Sequence, residues 1–99
     1  MASTSNLFLT ITNYFQWKSH MEDLLRSKGL YQITLGKEKT PIDANKKLKW
    51  DNKNEKERGL IGISISLDLR FHLQWTDAPD ESWQKLRVVF GKHNIIRAH

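Results

Sequence analysis

Asn13-Tyr14-Phe15-Gln16-Trp17-Lys18-Ser19-His20-Met21-Glu22-Asp23-Leu24-Leu25-Arg26-Ser27-Lys28-Gly29 is the stretch whose reading decides the fold. Tyr14, Trp17, Met21, Leu24 and Leu25 stand at i, i+3, i+7, i+10 and i+11, an apolar stripe of helical period. Asn13 or Thr12 supplies a short polar side chain for the N-cap. Arg26 and Lys28 sit in the last turn, where cations favour the helix dipole, and Gly29 suits the position just past the end. The spacing predicts a helix from Tyr14 to Lys28 with an aromatic inner face.

Outward from that helix, the pattern stays helical. Leu30-Tyr31-Gln32-Ile33-Thr34-Leu35 is a short apolar run, expected as a turn that tucks Leu30, Ile33 and Leu35 under the first helix. Residues 36–42, with Gly36 and Pro41, read as a loop. A long helix starts near the cap residue Asp43 and carries Leu48 and Trp50. One of its faces runs through positions 50, 54, 57, 61 and 65, and so includes Asn54 and Glu57. Residues 61–66 also alternate with period two, but a lone strand among helices has nothing to pair with. A short helix is expected from Leu67 or Asp68 to Trp75. The last one starts with Thr76 or Asp77 as cap, Pro79 in the first turn and Asp80 and Glu81 on the dipole. Its inner face is Trp83, Leu86, Val89 and Phe90, and Gly91 ends it. Before all this, Leu7, Leu9 and Ile11 alternate with Phe8, Thr10 and Thr12, which suits an extended arm.

The expected fold is all-α: one domain, a small orthogonal or irregular bundle of four to five helices. Residues 1–12 form an extended arm, 13–91 the helical lobe and 92–99 a basic tail. Ninety-nine residues with ten aromatics, four of them Trp, can fill a single core. No apolar run approaches membrane-spanning length, and residues 1–12 lack the basic start and cleavage site of a signal peptide. A cytoplasmic or at least intracellular location is expected, the nucleus included.

The chemistry is sparse. The chain has no cysteine, which removes disulfides, thiolate catalysis and Cys-containing zinc sites. His20, His72, His93 and His99 form no i,i+4 pair with a carboxylate partner, so no metal site is expected. Gly-x-Ser-x-Gly, Gly-x-Gly-x-x-Gly and the P-loop are absent. The acidic pairs Glu22-Asp23 and Asp80-Glu81 fall on an outer helix face and in a first turn, where solvation and dipole roles outweigh acid–base work. Tryptophans at helical spacing with Leu, Ile and Met read as core rather than as stacking platforms; Trp75, at a helix end, is the most exposed candidate. No catalytic residue, no cofactor and no small-molecule substrate are expected. The net charge of +5 is uneven: residues 37–58 hold eight basic and five acidic residues, and Leu86 to His99 hold no acid. Lys46, Lys47 and Lys49, with Arg87, Lys92 and Arg97, are the candidates for nucleic-acid contact. A solvated charged face is the plainer reading of that run.

Four segments, in order, resemble one family. They are Leu9-x-x-x-Asn13-Tyr14-x-x-Trp17-x-x-x-Met21-x-x-Leu24-Leu25-x-x-Lys28-Gly29-Leu30, the central Trp50, the Ile61/Ile65 face, and Ala78-x-x-x-x-Trp83-x-x-Leu86 closing at Phe90-Gly91. Over residues 7–92 the series is similar to the N-terminal capsid-like part of the Gag polyprotein of copia-type LTR retrotransposons. Two departures stand out: Ile11-Thr12 where a Gly often precedes Asn-Tyr, and Glu57 where an alanine is common after the central Trp. The resemblance implies a retroviral-capsid-lobe-like fold and a non-enzymatic assembly role. Such lobes pack side by side into rings and shells, virus-like particles around element RNA. It implies a core signature of Tyr14, Trp17, Met21, Leu24, Leu25, Trp50, Ile61, Ile65, Trp83, Leu86 and Phe90. It implies as partner a second copy or full-length Gag, engaged through protein–protein oligomerisation by exposed faces, the outer side of the first helix and the long one. Dilute protein is then expected to be monomeric or weakly oligomeric. The alternatives are a domesticated host protein-interaction module and a small basic RNA-binding adaptor.

Overall fold

The computed structural model describes residues 7–72 and 78–91. It is all-α. Helix α1 spans Tyr14–Ser27, α2 Tyr31–Thr34, α3 Ala44–Ile63 and α4 Pro79–Leu86; a 3₁₀ helix covers Leu67–His72 and a π turn Arg87–Gly91. Among the described residues there is no strand, and a single parallel bridge joins Leu9 to Ile65.

α1 ends as its last residues dictate. Gly29 adopts φ +72°, which lets its N–H reach Arg26 O (3.1 Å) and the Leu30 N–H reach Leu25 O (2.8 Å). This pair of bonds closes the helix and folds Leu30 back onto Leu25, both buried. The same reversal sets α2 beneath α1, with Leu30 and Ile33 in the core and Leu35 half-buried.

The start of α1 differs from expectation. Asn13 is the N-cap residue, but its side chain makes no bond to the helix. Its Oδ1 accepts from the Thr10 N–H (2.7 Å) and its Nδ2 donates to Phe8 O (2.8 Å). The chain therefore turns at Ile11-Thr12 rather than running extended into the helix. Asn13 braces that turn. Leu9, fully buried, is held by Leu9 N–H to Ser64 O (2.7 Å) and Ser66 N–H to Leu9 O (3.2 Å).

α3 begins as expected: Asp43 Oδ2 accepts from the Lys46 N–H (3.0 Å). Its first two turns are exposed, Leu48 included. Only from Trp50 onward does it meet the lobe. Trp50 Nε1 donates to Glu38 O (3.0 Å), and Lys53 pairs with the Glu38 carboxylate at 3.0 Å, so the 36–42 loop is strapped to the helix. Residues 61–63 stay helical, but α3 ends at Ile63: Ile65, expected on the same helical face, lies beyond the cap residue Ser64 and pairs with Leu9 instead, because the segment before α1 runs alongside it.

The expected caps Thr76 and Asp77, and Trp75, lie outside the described residues. The N-cap of α4 is Ala78, whose side chain has no acceptor; Glu81 Oε1 takes the Ala78 N–H (3.0 Å), and Pro79 opens the helix. Val89 is corrected from the inner face to the surface, at 37% exposure. The wide i→i+5 winding after Leu86 advances fewer degrees per residue, which keeps Phe90 inward and swings Val89 out. The 3₁₀ helix reaches the same region, with the His72 ring edge-on to Phe90 at 5.2 Å.

Gly36 is where the loop meets α4. Its φ is +78°, and an added Cβ would lie 2.6 Å from Asp80 Oδ2 and 2.9 Å from Asp80 Cβ. We expect Gly36→Ala to destabilise the fold by about 2–4 kcal/mol, combining left-handed strain with displacement of α4. Gly29→Ala meets open space and should cost only the strain, about 1–2 kcal/mol. Urea unfolding of both variants measures the difference; equal losses would deny the loop–α4 contact its weight.

Candidate functional site

The interior is spent on packing. Trp17 is 0% exposed, with its ring 5.7 Å from that of Trp83 and 6.2 Å from that of Tyr14. Trp17 Nε1 donates to Ser64 O at 2.9 Å, the same carbonyl that receives the Leu9 N–H. One oxygen past the end of α3 thus joins α1 and the preceding segment. Burial pushes the Tyr14 hydroxyl up to about 12, against the opposing field of Arg87. Of the eleven signature residues, Tyr14, Trp17, Met21, Leu25, Ile61, Ile65, Trp83, Leu86 and Phe90 are buried; Leu24 and Trp50 are half-buried at the core's edge. Leu9, Leu30 and Ile33 complete the cluster.

Two polar groups share that interior. Thr34 and Glu57 are 0% and 1% exposed. The Thr34 hydroxyl bonds to Leu30 O (2.9 Å) and lies 3.3 Å from Glu57 Oε2. Burial raises the Glu57 carboxyl from 4.5 to about 7, outweighing the Thr34 hydrogen bond and the charge of Arg58. Asn54 Oδ1, one turn earlier on α3, is buried without a hydrogen-bond partner. Glu57 was visible in sequence as a member of the inner face; its enclosure and raised carboxyl follow only from the packing of α2 over it.

The acidic pairs do not act as pairs. Burial works to raise the pKa of Glu22, but hydrogen bonds from Lys18 Nζ (2.7 Å) and the Tyr31 hydroxyl (3.0 Å), with the charges of Lys18 and Arg26, hold it below the ordinary carboxylate range. Asp23 faces Arg26 at 3.3 Å, and the Arg26 guanidinium lies 4.3 Å over the Tyr31 ring. Asp80 abuts Gly36, while Glu81 caps α4. Among the described residues no three His, Asp or Glu side chains gather as a metal site, and no described helix is long and apolar enough to cross a membrane.

Of the candidate nucleic-acid residues, the four described ones, Lys46, Lys47, Lys49 and Arg87, are exposed and lie on two separate elements. Lys46, Lys47 and Lys49 lie on the outlying first turns of α3, with Lys47 already 3.0 Å from Asp51 Oδ2. Arg87 stands on the π turn. Lys92 and Arg97 lie outside the described residues.

The larger unclaimed feature is a face of α3 centred on Ile63, which is 68% exposed. Depressions of about 340, 490 and 700 Å³ meet at that residue. Periodicity alone does not single it out, because Ile63 falls off the apolar face that runs through positions 50, 54, 57, 61 and 65.

No family model, no curated protein and no solved structure matches this chain.

Proposed function

We propose that this chain is the N-terminal capsid-like lobe of a copia-type retrotransposon Gag, acting without catalysis by association with further copies of itself or with full-length Gag. The observation that carries the reading is the placement of the signature: Asn13-Tyr14-x-x-Trp17 opens α1, and Trp83-x-x-Leu86 lies on α4 with its indole against Trp17. The aromatic motif residues thereby serve as internal braces, and work is left to the outer surfaces. Lobe–lobe contacts of this kind are weak singly and effective in number.

Sedimentation velocity over a concentration series tests it. We expect a monomer when dilute and a reversible, concentration-dependent rise in the weight-average sedimentation coefficient. A tight dimer at every concentration contradicts the reading. Capture from cells separates the domesticated alternative: Gag chains in one case, unrelated host proteins in the other. The RNA-adaptor reading draws on the exposed Lys46 and Lys49. It requires RNA affinity that falls steeply with salt.

A further inference from the structure

α3 sorts its charges by side. Lys46, Lys49, Lys53 and Lys56 stand at i, i+3, i+7 and i+10 and so share one side of the helix, flanked by Asn45 and Asn52. The acids of α3 are elsewhere. Asp51 and Glu55 follow Lys47 at i+4 and i+8 on the other side, with Asp51 already 3.0 Å from Lys47, and Glu57 is turned into the core. The 36–42 loop adds to the lysine side. Glu38 is held there twice, its carbonyl by Trp50 Nε1 and its carboxylate by Lys53. Trp50 lies one turn after Lys46, so this strap brings Lys37 and Lys39, both exposed, beside the row. Glu38 and Lys53 offset each other. Asp43, at the helix start, spends its carboxylate on the Lys46 N–H. Lys37, Lys39, Lys46, Lys49 and Lys56 have no ion pair among the described residues.

Like charges gathered along one side of a helix destabilise it unless an anion offsets them. We propose that this side of α3, with Lys37 and Lys39, is a site for the phosphodiester backbone of a nucleic-acid duplex, held without reading of its bases. The row rises about 15 Å from Lys46 to Lys56, and a duplex carries about four phosphates per strand over that length. Lysine supplies point charges on flexible stems, which suit phosphates rather than base edges. Stacking of single-stranded bases is disfavoured: Trp50, the aromatic beside the row, is half-buried with its N–H bound to Glu38 O. An anionic lipid surface is disfavoured too. Interfacial helices carry an apolar face beneath their lysines, whereas Leu48, the exposed apolar residue of the first turns, stands on the other side. Of this site only Lys46 and Lys49 were candidates from the sequence, and Lys47 falls on the far side. The inference rests on the RNA-adaptor reading for its ligand class and gives that reading a site; it does not depend on assembly.

The probe is a fluorescein-labelled RNA duplex of about 20 base pairs, followed by anisotropy from about 50 to 200 mM salt. A DNA duplex of the same sequence, the single strands and phosphatidylserine vesicles accompany it. The logarithm of duplex affinity should fall against that of salt with a slope of about −4, as about four to five phosphate contacts require. Lys37→Gln, Lys39→Gln, Lys46→Gln, Lys49→Gln and Lys56→Gln should each reduce the slope by about 0.9. Glutamine matches lysine as a helix former, so Tm should not move. Lys47→Gln should leave slope and affinity unchanged. Lys46→Gln, Lys49→Gln and Lys56→Gln together should lower affinity about tenfold or more at low salt. The two duplexes should bind within about threefold of each other. No shift of either duplex at about 50 mM salt overturns the proposal and the RNA-adaptor reading together. Binding that the triple variant keeps, or that Lys47→Gln weakens as much as Lys46→Gln, overturns the site and leaves that reading standing. Tighter binding to the vesicles than to either duplex, or a preference of about tenfold for single strands, gives this side of α3 to another occupant and overturns the proposal as well.

Discussion

Trp17→Ala should cost about 3–5 kcal/mol and lower Tm by about 15 °C or more, the largest loss expected from any single truncation in this chain. A small domain holds only about 5–15 kcal/mol in all, so the variant sits at the edge of folding. Three losses combine. The indole is fully buried, so its removal leaves a void. Trp83 and Tyr14 lose their ring neighbour. The bond from Nε1 to Ser64 O disappears, and with it the direct tie between α1 and the end of α3. Trp17→Phe keeps most of the apolar contact, and Ser64 O still receives the Leu9 N–H. It should therefore cost roughly 1–2 kcal/mol. Trp50→Phe, at the half-buried edge, loses its bond to Glu38 O and little else, about 1 kcal/mol. Urea unfolding of the three variants gives the order. A Trp50 loss equal to that of Trp17→Ala would mean that the core is centred elsewhere.

The second large effect is a fall in stability as pH rises. Glu57 is raised in the folded state from 4.5 to about 7, the reverse of the usual paired carboxylate. Between those values the native state holds a proton that the unfolded chain has released. Stability is then fully present below about pH 4.5 and declines until the folded group ionises near pH 7. A displacement of that size corresponds to about 3 kcal/mol. Glu57→Gln keeps an oxygen for the Thr34 hydroxyl and cannot ionise. We expect it to flatten the decline and to be more stable than wild type at pH 8, by up to about 3 kcal/mol. Thermal melts of both proteins from pH 5 to 8 check this. Parallel pH profiles would mean that Glu57 is charged, or reached by water, in the folded protein.

What could be read in advance was what is decided locally. Gly29, Asp43, and Pro79 with Glu81 mark helix ends by chemistry contained within a few residues, and α1, α3 and α4 stop or start there. Of the α1 stripe, Tyr14, Trp17, Met21 and Leu25 are buried and Leu24 is half-buried at the edge, because a helix with one apolar side buries the middle of that side most deeply. Illegible features depended on distant partners. Asn13 looked like a cap, yet the turn at Ile11-Thr12 claims both ends of its amide. Leu9 looked like part of a strand, but finds its single bridge only once α3 has ended beside it. Val89 kept helical register on paper and lost it to the wide turn. Glu57 read as one member of a helix face, and its raised carboxyl depends on Thr34 and α2 packed above it.

The proposed assembly role requires the Trp17 and Trp83 indoles to be locked inside the helical lobe. Hydrogen exchange at the Trp17 indole N–H, followed by NMR, measures that directly. Donated to Ser64 O in a core that excludes water, this proton should exchange only on global unfolding, as slowly as the most protected amides of α1. Exchange within the dead time under native conditions would show the ring open to solvent and contradict the account.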